Sequence, residues 1–450
     1  MKILATIGPV SENINSIKKI NKYTNLFRLN GSHNSLSWHK KISRVIKSIS
    51  SDNKILLDIP GIKPRTDNKN NISIKKNDLV TFYYKNYVNK EKKNIGVALT
   101  NPIPSISSSI KNFSISDGLY LFKIVQIKKN VLIGRSNQNF ILQPKKGLNI
   151  PNSHYDNEQQ SNLYLEFLNK IKSIKFDAIG LSYVQDDKIV NIVKKKFPNQ
   201  LILSKIENIT GFQNVEKICL ASDIIMIDRG DLSAEIGESK LYDAVVQISN
   251  ICKRHGKPLV MATENLGSMI QNSLPTKSEI MSLAFSETLE VDEIMLSDET
   301  ATSKNYHTII KWLYNFINFS INKKKYIEYN SDSFWKILNN FNNSTLVIFS
   351  KKGYFVERVI KNNKSFNLII FSSSKKIIDT CYYRANCTPV LTESFPKNME
   401  NFIFNNIKKN LNLVFKKNNR VLLVFANFPK KGSRANTISL IDKKNFSKLA

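Results

Sequence analysis

Residues 201–208 read Leu201-Ile202-Leu203-Ser204-Lys205-Ile206-Glu207-Asn208, and residues 224–231 read Ile224-Ile225-Met226-Ile227-Asp228-Arg229-Gly230-Asp231. Two short apolar, β-branched runs lie on either side of a helical stretch, and each ends in charge. That is the pattern of two parallel strands buried on both faces and joined by a crossover helix. The unit recurs along the chain. Apolar runs at 3–7, 26–29, 55–57, 178–181, 201–203, 224–227, 259–262 and 293–296 each precede a helical stretch. Eight of them suggest a (β/α)8 barrel, although a doubly wound open sheet has the same periodicity and periodicity does not separate the two.

The spacing divides the chain. Most of these runs start roughly 20 to 35 residues apart, as one βα unit requires, but about 120 residues separate Leu57 from Ala178. An inserted domain is therefore expected at 67–149. Alternating stretches at 79–84 and 119–125, set between Asn, Gly and Pro turns, give it the look of a small β barrel or sandwich. After Lys323-Lys324-Lys325, runs at 346–349, 368–371 and 421–425 predict a separate α/β domain. The expected fold is thus α/β: a TIM barrel at 1–66 and 150–322, an inserted β lid at 67–149 and a C-terminal α/β domain at 323–450.

Composition narrows the class. The 450 residues are 41% hydrophobic and 10% aromatic, which excludes a mainly disordered chain. No apolar run approaches the ~20 residues of a membrane helix. Met1–Ala5 resembles the start of a signal peptide, but Gly8-Pro9 interrupts it, and it is read as a buried strand. Four cysteines without a C-x-x-C suit a reducing, cytoplasmic setting. The 67 Lys and Arg against 36 Asp and Glu give a net charge of +31. Residues 321–450 hold 24 of those cations and 7 of the anions, so +17 lies there and +14 in the rest. Such a surface attracts phosphate-bearing partners, but a chain saturated with Lys, Asn and Ile acquires the same surplus from base composition alone.

In a barrel the active site gathers at the C-terminal strand ends. The exits here are Arg28-Leu29-Asn30-Gly31-Ser32-His33, Asp58, Ser182-Tyr183, Lys205-Ile206-Glu207-Asn208, Asp228-Arg229-Gly230-Asp231, Thr263-Glu264 and Ser297-Asp298-Glu299-Thr300. Glu207 and Asp231 offer hard oxygen ligands from two strands, suited to Mg2+. Arg28, Arg65, Arg229 and Lys205 offer cations to clamp phosphoryl and carboxylate groups. Acidic metal ligands ringed by phosphate-binding cations fit phosphoryl transfer.

At these residues the chain resembles the pyruvate kinase family. The matching blocks are Ala5-Thr6-Ile7-Gly8-Pro9, Arg28 to His33, Leu57-Asp58 through Arg65-Thr66, Ser204 to Asn208, Arg229-Gly230-Asp231-Leu232, Ala262-Thr263, Ser268-Met269-Ile270, Pro275 to Glu279 and Met295 to Thr300. The loop at 432–437 is also similar. The resemblance implies transfer of phosphate from phosphoenolpyruvate to ADP, giving pyruvate and ATP. Lys205 would contact the transferring phosphoryl group, Glu207 and Asp231 would hold Mg2+, and Thr263 would help a proton reach the enolate carbon. Arg28, Arg65 and Lys146 would grip phosphates, with Asn30 and His33 toward the nucleotide. The Arg229-Gly230 backbone, with Asp231 and Thr263, would receive the substrate, and Asp117-Gly118 resembles the lid motif. Relatives are usually homotetramers in the cytoplasm, and many bind phosphorylated effectors on the third domain. Here the 350–353 turn and the 430–434 loop are basic enough for one. Nucleic acid and membrane are not expected as partners.

Departures from the family carry their own expectations. Asn30, Ser32 and Asp58 match the potassium ligands, but Lys63 stands where relatives have glutamate. Relatives with lysine there are potassium-independent, so Lys63 is expected to replace K+. Asp228 replaces a small apolar residue beside the carboxylate cradle, where it should repel a substrate anion. Glu264, Asp298 and Gln185 likewise make the site more acidic or remove a cation. These changes support a second expectation, a catalytically weakened relative acting as a metabolite-binding or regulatory module.

Overall fold

The structure, a computed structural model, describes residues 1–85, 94–116, 118–128, 130–172, 174–321, 338, 341, 344–362, 365–396, 399–425, 437–444 and 446. Eight strands, Lys2–Ile7, Leu26–Asn30, Lys54–Ile59, Ala178–Leu181, Leu201–Ile206, Ile224–Asp228, Leu259–Ala262 and Glu293–Leu296, pair in parallel and in chain order. The last pairs with the first, Met295 beside Leu4, so the sheet closes. That closure decides for the barrel over the open sheet, on the eight runs expected from the sequence.

Side chains alternate along a strand, so each strand sends every second residue inward. The inward columns run from the N-terminal to the C-terminal mouth: Lys54, Leu56, Asp58 on the third strand; Leu201, Leu203, Lys205 on the fifth; Ile224, Met226, Asp228 on the sixth. Leu4, Leu26, Leu56, Leu203 and Met226 form one fully buried cluster that fills the middle of the barrel. The alternate residues, such as Ile55, Leu57, Ile202 and Ile225, pack outward in the larger core shared with the helices. The same two-residue period that fills the middle therefore raises Asp58, Lys205 and Asp228 into the upper mouth.

The lower mouth is closed by the C-terminal part of the chain. Tyr383, just past the helix Lys375–Tyr382, lies fully buried in the inner barrel cluster. Lys54 pairs with Asp379 at 2.7 Å, and the Lys2 ammonium donates to the carbonyls of Tyr382 at 2.7 Å and Cys381 at 3.1 Å. A plugged lower mouth leaves the upper one for chemistry.

Between the third and fourth barrel strands the chain folds as β structure: a six-stranded sheet and two short two-stranded pairs. Its core includes Phe82, Phe113 and Phe122, whose rings meet at 5.1 to 5.5 Å. The segment leaves and returns at one point. Thr66 N donates to Lys146 O at 2.8 Å, and Leu148 N donates to Pro64 O at 2.9 Å. A Cβ on Gly147 would meet Lys63 Cε at 2.6 Å, so a side chain there would push against the Lys63 arm.

The C-terminal sheet has the order Cys387–Leu391, Asn367–Ser372, Thr345–Phe349, Arg420–Phe425, Thr437–Asp442, with only the last strand antiparallel. The three central strands follow the expected apolar runs; the two edges were not expected. Cys387–Leu391 contains Pro389, which cannot donate to a ladder and is confined to edges. Asp117, Lys323-Lys324-Lys325 and the 430–434 loop lie outside the described residues. Among the described residues no helix is long and apolar enough to cross a membrane.

The plug yields a test. Tyr383→Ala should cost about 3 to 5 kcal/mol in denaturant titration, as truncation of a buried aromatic does. Tyr383→Phe should be neutral or stabilising, because the Tyr383 hydroxyl is buried without a hydrogen-bond partner among the described residues.

Candidate active site

Lys205 organises the upper mouth. It is 5% exposed, and its ammonium lies 2.6 Å from Glu207 Oε1, 3.4 Å from Asp228 Oδ2 and 3.5 Å from Asp58 Oδ2. Burial by itself would lower its pKa, but the Asp58, Glu207 and Asp228 carboxylates outweigh that and hold it well above the ordinary lysine range. Lys205 is therefore a permanent cation.

Asp58 is shared. The Arg28 guanidinium donates to its Oδ2 through Nε at 2.9 Å and Nη2 at 2.7 Å, and its third arm reaches Thr6 Oγ1 at 3.1 Å. Ser182 Oγ donates to Asp58 Oδ1 at 3.2 Å. Thr6 and Ser182 occupy inward positions above Leu4 and Gly180, so the two-residue period could have flagged Thr6, which the sequence reading left without a role.

Three carboxylates converge beside this pair. Glu207, Asp228 and Asp231 each present an oxygen within 4.8 Å of the other two. Glu207 Oε2 also accepts from the Tyr183 amide at 2.5 Å. Burial raises the Glu207 carboxyl, Lys205 pulls it down, and Asp228 and Asp231 push it up again, to about 8. Asp231 behaves oppositely: burial would raise it, but the Lys63 ammonium on its Oδ1 holds it at about 2. Four carboxylates (Asp58, Glu207, Asp228, Asp231) thus meet three cations (Arg28, Lys63, Lys205), and the cluster is nearly dry. The proton that Glu207 keeps at pH 7 balances the cluster, and a divalent cation among oxygen ligands would take the place of that proton, so the donor set fits Mg2+.

Thr263 forms the next wall. Its hydroxyl lies 3.1 Å from Asp228 Oδ1 and 2.8 Å from Ala262 O, and it accepts from the Gly230 amide at 3.1 Å. Thr263 and Glu264 sit at φ +59° and +52°, costly for a β-branched residue. Arg229 holds that shape: its guanidinium donates to Thr263 O, to Asn265 Oδ1 at 2.9 Å and to Ser282 Oγ at 2.5 Å. The Arg229 side chain, at the first residue of the helix Arg229–Ile236, is therefore a brace.

The remaining expected residues fall into two groups. His33, Arg65 and Arg28 form a corner, where burial and then Arg65 and Arg28 lower the His33 pKa and so disfavour its charged form. Lys146 is at the lid junction, its amide donating to Thr66 Oγ1 at 3.1 Å. Asn30 turns its carbonyl oxygen to the Ser32 amide at 3.1 Å.

Three departures read differently in the structure. Asp228, expected to repel, is matched by Lys205 and Thr263. Lys63 stands on Asp231, while Asp58 is held by Arg28, Ser182 and Lys205. Gln185 is no substitute cation: it is buried, accepts from Tyr155 N at 3.0 Å and donates to Tyr155 O at 2.9 Å, pinning the loop before the helix Asn157–Lys170. Glu264 and Asp298 are exposed. Glu235 escaped the sequence reading altogether. It is buried, and burial raises its carboxyl to about 8 against the pull of Lys63.

A family model described as pyruvate kinase, barrel domain, matches residues 1–308. The chain is similar to the pyruvate kinase of Thermotoga maritima, with 26% identity over 473 residues covering 98% of both chains. It is also similar to those of Buchnera aphidicola subsp. Schizaphis graminum, at 31% over 318 residues, and Thermococcus litoralis, at 29% over 314 residues. Those two matches cover 67% of this chain and 66% of the relative. With a closed eight-stranded barrel, an insertion after its third strand and a family match over more than half its length, this chain belongs to the pyruvate kinase family.

Proposed function

We propose that the protein transfers the phosphoryl group of phosphoenolpyruvate to ADP, forming pyruvate and ATP. The observation that carries this reading is Lys205, a permanently charged ammonium buried in a cluster that is otherwise rich in carboxylates. Phosphoryl transfer proceeds through a loose transition state whose charge spreads over the moving oxygens, so positioned cations in a dry site lower its energy. Lys205 would meet both the moving phosphoryl oxygens and the enolate oxygen left behind. Arg28, fixed by Asp58 and Thr6, would hold the phosphate on one side; Arg65 and Lys146, at the lid junction, would hold it on the other.

Glu207 and Asp231 would hold Mg2+, which when bound neutralises phosphoryl oxygen charge. Amides at the start of the helix at 229 would receive the substrate carboxylate, where the helix dipole favours an anion. His33 and Asn30 would face the nucleotide. Thr263, its hydroxyl already placed by the Gly230 amide, would pass a proton toward the enolate carbon. Closure of the inserted segment would exclude water. A tetramer and a phosphorylated effector on the third domain belong to the same reading, as does a cytoplasmic setting.

Potassium independence rests on Lys63. Its ammonium is buried on Asp231, so a fixed positive charge is covalently present beside the cation ligands. Lys63 would thus supply what K+ supplies elsewhere, with Asn30, Ser32 and Asp58 left without that duty. A second reading, a weakened relative kept for binding, is favoured by one observation: Asp228 adds an anion beside the carboxylate cradle.

A coupled assay of pyruvate formation with ADP and Mg2+ separates the two. The wild type should turn over, and Lys205→Met should lower kcat by roughly two to three orders of magnitude or more. Absence of turnover in the wild type would overturn the kinase reading. In the same assay, replacing K+ with tetramethylammonium should leave the rate unchanged. A large drop would remove Lys63 from that role, and Lys63→Glu should make the enzyme K+-dependent.

A further inference from the structure

The carboxylate that departs from the family pattern lies in the cation site, not merely beside it. We infer that Asp228 is a third carboxylate ligand for the divalent cation, joining Glu207 and Asp231. The inference extends the reading of Glu207 and Asp231 as cation ligands and rests on it.

The geometry has three parts. First, oxygens of Glu207, Asp228 and Asp231 lie mutually within 4.8 Å, a span that one hard cation closes by small side-chain rotations, because it takes several oxygens in one shell. Second, Asp228 is oriented. Its Oδ1 faces the Thr263 hydroxyl at 3.1 Å, and its Oδ2 is turned the other way, 3.4 Å from Lys205 Nζ. Oδ2 is the oxygen no hydroxyl holds, and its pairing with Lys205 at 3.4 Å is looser than that of Glu207 at 2.6 Å, so it is the one that can turn to a cation. Third, Asp228 is 7% exposed at the end of a barrel strand, in a column whose lower members Ile224 and Met226 are packed solid. A rigid strand end fixes a ligand more tightly than a loop does.

Two consequences follow from charge. A shell of three carboxylates attracts a divalent cation without help from substrate or nucleotide, so the cation binds the ligand-free protein. Asp228 also occupies space next to the Gly230 amide, where a Gly230 Cβ would be 3.9 Å from its Oδ1. The bound cation then screens Asp228 from the incoming substrate carboxylate. This resolves the conflict between an added anion and an anionic substrate.

The test is Mn2+ binding to the ligand-free full-length protein, followed by electron paramagnetic resonance of the free ion, for wild type, Asp228→Asn, Asp228→Ala and Glu207→Gln. Asp228→Asn keeps the shape and removes the charge, so it remains informative if the alanine variant folds poorly. Both Asp228 variants should bind Mn2+ about tenfold more weakly or worse, since affinity follows the count of charged ligands. Wild-type affinity in both, with loss in Glu207→Gln, would overturn the role of Asp228 alone. Wild-type affinity in Glu207→Gln as well would overturn the cation site itself.

Discussion

The Lys205 ammonium, sealed among Asp58, Glu207 and Asp228, is the constraint on which the site depends. A buried cation is stable only where carboxylates surround it, and buried carboxylates are stable only where cations answer them. Asp58, Lys205 and Asp228 top inward columns whose middle layer is Leu56, Leu203 and Met226. The barrel core and the reactive mouth are therefore one object: the apolar layers fix the height and direction of the charged one. The plug around Tyr383 completes this arrangement by closing the opposite mouth with residues remote in sequence.

The barrel was legible because parallel strands buried on both faces read as continuous apolar runs, and eight such runs became eight strands. The long gap after Leu57 marked the insertion for an equally simple reason: a βα unit cannot take up 120 residues. The edge strands of the C-terminal sheet were not legible, since Pro389 and an antiparallel return look like loops in one dimension. At the site, residue identities were legible and pairings were not. Lys63 and Asp231 are 168 residues apart, and no spacing rule joins them. A sequence shows the Asp228 charge without the Lys205 and Thr263 partners that the structure gives it. Gln185 brings no cation, and its amide staples a loop, a pairing that no spacing shows. Thr6 was within reach, because it shares the inward parity of Leu4.

Strain and charge are placed together. Thr263 and Glu264 adopt left-handed backbone at the point where the Thr263 hydroxyl must be aimed, and Arg229 braces them. Lys63 performs a similar service at the lid junction, where Gly147 gives it room and Asp231 holds its end. The insertion and the barrel thus meet over a fixed positive charge. Small changes at that junction, such as a side chain at 147, would move the ammonium off the carboxylate that orients it.

The Glu207 proton balances the charges of this mouth, and the proposed divalent cation would take that proton's place. Counting protons released on cation binding tests it directly. The raised Glu207 carboxyl, at about 8, keeps its proton at pH 7 in the cation-free protein and must surrender it to a bound cation. Titration calorimetry of Mg2+ into the ligand-free protein at pH 7, in buffers of different ionisation enthalpy, should show release of about one proton per cation, falling toward zero as the pH rises above 8. Release of no proton at pH 7 would contradict the account.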